Sequence, residues 1–258
     1  MKILRYDEHG TPRFGILDGE AVYRAEGDLF AGLTRGAEIG PLDSVTLLTP
    51  VAPGKIVAVG KNYSDHIAEM ARGGFAADLP EEPVLFLKPP TALLPHGGEI
   101  KMIPGTRTDY EAELCMVIGR QAKRVDEAHA LDYVLGYTCG NDVSNRGYTG
   151  QAGQWTRGKG ADTFCPLGPV IETDLDPNHL RIQSRLNGDV RQNTTVDTMI
   201  FKPAFLISFI SNVMTLNPGD VIMTGTPEGV GTLTPGDTIE VELEGIGTLR
   251  NSVGARTP

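Results

Sequence analysis

Glycine and proline are the residues that most constrain how this chain can fold. The 258 residues include 32 glycines and 18 prolines, spread along the whole chain between short apolar segments. Because both residues interrupt regular structure and favour turns, the pattern predicts many short strands and few long helices. The predicted strands are Lys2–Tyr6, Arg13–Leu17, Glu20–Arg24, Lys55–Gly60, Val84–Leu87, Glu111–Ile118, Val134–Gly140, Arg181–Leu186, Val190–Gln192, Asp220–Thr224, Thr238–Leu243 and Gly247–Ser252.

Two segments predict helices instead. Residues 62–71 follow an apolar strand and offer Asn62 or Ser64 as a capping side chain. Pro203–Val213 carries apolar residues at helical spacing. Strands still dominate, so we expect an α+β protein with a mainly β core.

A change of pattern near residue 50 predicts two domains. Residues 1–50 contain three short strand patterns joined by tight turns, which indicates a small β-rich N-terminal domain. Pro50, Pro53 and Gly54 then resemble a connection. The larger domain is predicted to span residues 54–256.

The composition narrows the class of protein. Hydrophobic residues make up 40% of the chain and the net charge is −10, which fits a globular protein and argues against a nucleic-acid partner. No apolar run is long enough for a signal peptide or a membrane span, so we expect a cytoplasmic protein. Three cysteines in no zinc-binding pattern predict buried, reduced thiols: Cys115, Cys139 and Cys165.

Three carboxylates suggest a metal site. Glu111 and Glu113 alternate in a predicted strand and therefore share one face, at the entrance to an apolar run. Asp142 follows the end of another predicted strand. Three oxygen ligands would suit Mg²⁺ or Mn²⁺, with Ca²⁺ as a further option. The alternatives are a solvent-exposed face for the glutamates and an Asx turn for Asp142.

Two further features could supply acid–base and charge chemistry. His66 and Glu69 stand three positions apart on a predicted helix, where a carboxylate orients an imidazole and raises its basicity. A surface helical pair is the alternative. Lys159 lies between two glycines, where it could neutralise a substrate oxyanion. Weaker candidates for a pocket wall, each also readable as a turn, are Lys88, Gly225 and Thr226.

These features occur in an order and spacing that resemble the fumarylacetoacetate hydrolase family. The resemblance extends over about residues 54–252, and the N-terminal segment is similar to the accessory domain of many bacterial members. The matching segments are KNYSDHIAEM (61–70), FLKPPTALL (86–94), YEAELCMVIG (110–119), LGYTCGNDVS (135–144), QWTRGKGADTFCPLGP (154–169), MTLNPGDVIMTGTPEGVG (214–231) and EGIGTLRN (244–251).

The resemblance implies a fold and a set of roles. The family fold is a mixed β-sandwich or roll, usually in a homodimer. The metal ligands would be Glu111, Glu113 and Asp142. The resemblance also implies a catalytic dyad and an active-site lysine, which match His66, Glu69 and Lys159. It places substrate contacts at Arg146, Lys88 and Thr226.

The resemblance further implies a metal-dependent enzyme acting on 2-oxo or 1,3-diketo acids through a metal-stabilised enolate. The leading expectation is hydrolysis of a carbon–carbon bond, as in an acylpyruvate, or decarboxylation of oxaloacetate. The alternative is isomerisation of 2-hydroxyhepta-2,4-diene-1,7-dioate or 5-carboxymethyl-2-hydroxymuconate in aromatic catabolism. A non-catalytic binding protein on the same fold is a third option from a different class.

Two segments near the expected site stand apart. Residues 145–151 keep Arg146 but carry Gly147 where many relatives have an aspartate, so the substrate preference of relatives does not transfer. Residues 70–83 follow the predicted helix and contain Gly73 and Gly74. We expect those glycines to form a hinge for a segment that becomes ordered on ligand binding.

Overall fold

The computed structural model describes residues 1–72, 78–149 and 154–255. The helices α1 to α4 in these ranges are Ser64–Arg72, Arg146–Thr149, Trp155–Lys159 and Pro203–Val213. The strands β1 to β20 are Lys2–Glu8, Thr11–Asp18, Ala21–Asp28, Gly32–Pro41, Thr46–Leu48, Ile56–Gly60, Val84–Lys88, Leu93–Leu94, Glu99–Met102, Thr108–Tyr110, Ala112–Ile118, Val134–Asn141, Ser144–Asn145, Cys165–Glu172, Arg181–Leu186, Asp189–Thr195, Val221–Met223, Gly231–Thr232, Thr238–Leu243 and Gly247–Ala255.

The described strands form three sheets. The largest has twelve strands and the order β4-β3-β2-β1-β14-β12-β11-β17-β6-β7, with β5 paired to β1 and β8 to β14. A five-stranded sheet has the order β16-β15-β19-β20-β9, and a small third sheet joins β13, β10 and β18. Most pairs are antiparallel, but β17 with β6, β20 with β9 and β14 with β8 are parallel. The protein is therefore α+β and mainly β, with mixed sheets, as predicted.

The main core lies between the large sheet, the five-stranded sheet and α4. Leu114 of β11, Val241 of β19 and Leu206 of α4 are buried in the same apolar cluster. Alternate residues of β19 face this cluster, which is the burial pattern of a strand with one solvent-facing side. The central strand β11 is buried at every position, because elements cover both of its faces.

The first fifty residues continue the large sheet. Strand β1 pairs with β14 through Lys2 opposite Glu172 and Ile3 opposite Ile171. The chain then folds through β2, β3 and β4 toward the edge of the sheet. The division of the chain at residues 50–54 stays a prediction.

The structure corrects several predicted boundaries. The predicted strand Glu111–Ile118 begins one residue later, at Ala112, because Glu111 lies in the gap between β10 and β11. The predicted helix 62–71 begins only at Ser64. Asn62 does not cap it, because its amide donates to the carbonyl oxygens of Phe201 (3.0 Å) and Thr224 (2.7 Å). These bonds fix the start of α1 beside the loop after β17.

Two predictions from composition can be compared with the described residues. The three cysteines are unpaired and buried, which confirms that part of the prediction. The described helices are all too short or too polar to cross a membrane.

Candidate active site

A cleft opens where β6, α1, α3 and the loop after β17 converge. Part of its wall is apolar and is formed by Val59, Ile67, Met70 and Trp155. The predicted site residues around it are His66, Glu111, Glu113, Arg146, Lys159 and Thr226. The fold therefore gathers most of the predicted site residues in one place.

Three buried carboxylates lie at the base of this cleft. Oxygen atoms of Glu111, Glu113 and Asp142 lie within 4.8 Å of one another. The pairing of β11 with β12, which places Ala112 opposite Asn141, brings the two segments together. The Asp142 N–H also donates to the Glu111 carbonyl oxygen at 2.9 Å, which ties the two carboxylate-bearing segments to each other.

Cations compensate two of these carboxylates. Glu111 accepts from Arg146 Nη2 at 2.5 Å and from Lys159 Nζ at 2.8 Å. Asp142 accepts from Lys159 and from Lys88. Burial acts to raise the pKa of Glu111, but the charges of Lys159 and Arg146 outweigh it and hold the pKa below its usual range.

Glu113 differs because it has no cationic partner in the described part of the chain. Its carboxylate accepts only from the Gly225 N–H, at 2.8 Å. Burial, together with the charges of Asp142 and Glu111, raises the pKa of Glu113 well above its usual range. Glu113 and the two neighbouring carboxylates together form a cluster of hard oxygen donors. A divalent cation bound there would balance the charge of Glu113. The residues present therefore fit such a cation.

Lys159 stays charged in this surrounding. Burial acts to lower its pKa, but the charges of Asp142 and Glu111 outweigh burial and raise the pKa above its usual value. Its Nζ also lies 5.0 Å from the centre of the Phe86 ring, which gives the ammonium a cation–π contact. Lys159 is therefore a fixed positive charge and not a base.

The His66–Glu69 pair forms on α1, at the wall of the cleft. His66 Nδ1 lies 3.3 Å from Glu69 Oε2, and the Gly229 N–H donates to Glu69 Oε1 at 3.0 Å. Burial acts to raise the pKa of Glu69, but the bonds from His66 and Gly229 outweigh it and lower the pKa. An ionised Glu69 only accepts, so Nδ1 carries the hydrogen and Nε2 is free to take a proton.

The predicted substrate contacts occupy different positions. Arg146 and Thr226 line the cleft. Lys88 does not: its side chain is completely buried against Asp142, because its ammonium compensates that carboxylate. Gly225 is also behind the cleft, where its N–H is engaged by Glu113. Both residues therefore contact the carboxylate cluster, and their contact with a substrate stays a prediction.

Two supporting residues were missed in the sequence. Asp109 is fully buried and accepts from Arg146 Nε at 2.8 Å, so it orients the guanidinium. Its place two residues before Glu111 could have revealed it. Gln192 accepts from the Ala112 N–H at 3.1 Å and donates to Thr226 Oγ1 at 2.7 Å. No local motif marks Gln192, which lies on the far strand of a hairpin.

The two unusual segments are described only in part. Asn145 closes the turn before α2 by accepting from the Gly147 N–H at 3.0 Å, and Thr149 lines the cleft. Gln151 and the predicted hinge at Gly73 and Gly74 lie outside the described residues.

Comparison with known proteins agrees with this site. The family described as fumarylacetoacetate (FAA) hydrolase C-terminal matches residues 55–254, and the family described as Rv2993c-like, N-terminal matches residues 1–50. The chain therefore belongs to the fumarylacetoacetate hydrolase family. It is 38% identical to the oxaloacetate tautomerase YisK of Bacillus subtilis, over 89% of this chain and 84% of that protein.

Solved structures share the fold over the whole chain. The 2-hydroxyhepta-2,4-diene-1,7-dioate isomerase from Mycobacterium marinum superposes with a TM-score of 0.90 at 40% identity, covering 100% of both chains. The maleylpyruvate hydrolase from Sphingobium sp. SYK-6, solved with manganese(II) and pyruvate, has a TM-score of 0.82 at 29% identity and also covers 100% of both chains.

Replacing Lys88 by methionine (Lys88→Met) is expected to destabilise the protein. The change keeps the length of the side chain but leaves Asp142 with one ammonium instead of two. Removing one partner of a buried ion pair costs about 3 kcal/mol or more, so we expect a loss of that size in the free energy of unfolding. Urea unfolding in EDTA measures it, with the exposed Lys123→Met as control. Equal stability of both variants would refute the role given to Lys88.

Proposed function

We propose that this protein is a divalent-cation-dependent enzyme that cleaves a carbon–carbon bond of a 2-oxo or 1,3-diketo acid. The favoured reactions are hydrolysis of an acylpyruvate-type substrate and decarboxylation of oxaloacetate. The observation that carries the proposal is the uncompensated Glu113 in a buried three-carboxylate cluster, beside a cleft whose wall bears an oriented histidine. A binding protein without a metal role would need neither feature.

Glu111, Glu113 and Asp142 would hold the cation, and their hard oxygen atoms suit Mg²⁺ or Mn²⁺, with Ca²⁺ as a further option. The cation would supply Lewis acidity toward the adjacent oxygens of a 2-oxo acid. Lys159 provides a permanent positive charge next to the same carboxylates. Negative charge that develops on a substrate oxygen at this point is stabilised by that ammonium.

The other polar side chains of the cleft are positioned for proton transfer and for substrate binding. His66 Nε2 takes the proton, from water in a hydrolysis or from carbon in an isomerisation, while Glu69 stabilises the resulting imidazolium. The Thr226 hydroxyl accepts from Gln192 Nε2, so its own hydrogen is available for a substrate oxygen. Arg146 is held by Asp109 and Glu111 and contributes positive potential at the cleft.

A second candidate is keto–enol tautomerisation or isomerisation without bond cleavage. The observation in its favour is that the tautomerase and the isomerase relatives, at 38% and 40% identity, are closer to this chain than the maleylpyruvate hydrolase at 29%. The same histidine would then move one proton between carbon and oxygen. The cleft geometry supports both candidates, so the products must decide between them.

The deciding experiment compares three substrates: acetylpyruvate, oxaloacetate and 2-hydroxyhepta-2,4-diene-1,7-dioate. Each is incubated with Mg²⁺ or Mn²⁺ and again with EDTA, while released pyruvate and enol absorbance are followed separately. Metal-dependent pyruvate release from acetylpyruvate or oxaloacetate is the expected result. Loss of enol absorbance without pyruvate would favour the second candidate. No metal-dependent change with any of the three would refute the proposal.

A further inference from the structure

One cationic side chain that lines the cleft forms no ion pair with the carboxylate cluster. The lysine and arginine residues among the described lining are Lys61, Arg146 and Lys159. Arg146 and Lys159 are engaged by buried carboxylates, whereas Lys61 has no carboxylate partner within the ranges that the structure describes. The remaining residues, 73–77, 150–153 and 256–258, include no aspartate or glutamate. Lys61 therefore offers a positive charge that no acidic side chain of the chain neutralises.

The backbone conformation of Lys61 is a second, independent indication that its side chain has a function. Lys61 has a φ of 56°, in the left-handed region that glycine adopts more easily, and it forms the turn between β6 and α1. Asn62, the next residue, fixes this turn through its hydrogen bonds to the carbonyl oxygens of Phe201 and Thr224. Of the described non-glycine residues with positive φ, Lys61 is the one that lines the cleft. Backbone conformations of this kind cluster at active sites and ligand-binding sites.

The position of Lys61 limits what it could bind. Its neighbour Gly60 abuts Trp155, whose ring a Cβ at Gly60 would meet at 2.7 Å. Trp155 begins α3, and Lys159 ends it at the carboxylate cluster. Lys61, Glu111 and Glu113 line the same cleft, so a ligand that fills the cleft contacts both the Lys61 side and the carboxylate side. The apolar side chains of Val59 and Ile67 also line this cleft.

We propose that Lys61 determines specificity by binding the distal carboxylate of a short 2-oxo dicarboxylic acid. This inference rests on the proposed function, in which the 2-oxo acid end lies at the Glu111–Glu113–Asp142 cluster. The carboxylate meets the ammonium in a cleft that is partly apolar, where a charge-assisted hydrogen bond contributes more than at an open surface. Monocarboxylic 2-oxo acids of the same length lack this contact.

The test compares two ligands that differ only in the distal carboxylate. Binding of 2-oxoglutarate and of 2-oxopentanoate is measured calorimetrically in the presence of Mn²⁺, for the wild type and for Lys61→Met, Lys61→Gly and Lys123→Met. Lys123 is exposed and outside the cleft, so its variant controls for net charge. Melting temperatures report folding, and Lys61→Gly, which relieves the backbone strain, keeps the comparison valid if Lys61→Met is unstable.

We expect the wild type and Lys123→Met to bind 2-oxoglutarate at least about tenfold more tightly than 2-oxopentanoate. The preference should disappear in both Lys61 variants. A wild type without preference, or a preference that survives in both Lys61 variants, would overturn the inference. Oxalate has only the metal-chelating end, so its binding distinguishes failure of this inference from failure of the proposed function. If oxalate binds but the wild type shows no preference between the two oxo acids, the inference alone is contradicted. If oxalate shows no Mn²⁺-dependent binding, the proposed function is contradicted as well.

Discussion

Replacement of Glu113 by glutamine (Glu113→Gln) is expected to lower metal-dependent turnover by at least about 100-fold and to leave the fold intact. Loss of a group that only supports a metal ligand costs about 10- to 100-fold in affinity or activity, so loss of a ligand should cost at least the upper figure. The glutamine has the same shape, and the Gly225 N–H still finds an acceptor. Of the three carboxylates in the cluster, Glu113 is the one that forms no ion pair with a described residue, so its replacement breaks no ion pair.

The matched control is Glu127→Gln, an exposed position outside the cleft. Turnover with Mg²⁺ and melting temperature in EDTA are measured for both variants. Full activity in Glu113→Gln would mean that the cluster does not bind the catalytic cation. The raised pKa of Glu113 adds a pH effect. Protonation of this carboxyl competes with metal binding, so metal affinity should rise as the pH increases.

Replacement of His66 by glutamine (His66→Gln) is expected to reduce kcat by about 10²- to 10⁴-fold, the usual contribution of a general base. Metal binding should be unchanged, because His66 reaches Glu69 and none of the three carboxylates. Glutamine can still donate to Glu69 but cannot take a proton at neutral pH. This variant therefore separates proton transfer from metal binding.

The measurements are kcat and Mn²⁺ affinity, with the exposed His129→Gln as control. We expect His129→Gln to keep the wild-type kcat and both variants to keep the wild-type Mn²⁺ affinity. A reduction of kcat of less than tenfold in His66→Gln would show that another group is the base.

The carboxylate cluster could be predicted from the sequence because it arises from local patterns. Glu111 and Glu113 are separated by one residue beside a strand, and Asp142 follows the end of β12. The neighbouring strands β11 and β12 pair in register, so these positions meet without help from distant segments. The resemblance to a family supplied the order of the remaining site residues.

The supporting contacts could not be predicted because they join distant parts of the chain. Lys88 reaches Asp142 across 54 positions, and Gln192 reaches Ala112 across 80. Proline was also misleading as a signal. Strand β14 is absent from the predicted strands and contains Pro166 and Pro169, yet all of its residues are buried. Its pairing with β12 is irregular between Gly168 and Glu172, and such irregular stretches are where a sheet tolerates proline.

The most direct test of the carboxylate site is a titration of Mn²⁺ into chelator-treated protein, with free Mn²⁺ followed by electron paramagnetic resonance. We expect saturable binding of one Mn²⁺ per chain in the wild type, unchanged in His66→Gln and weakened at least about 100-fold in Glu113→Gln. Absence of saturable binding in the wild type, or equal binding in Glu113→Gln, would contradict the assignment of Glu111, Glu113 and Asp142 as the metal site.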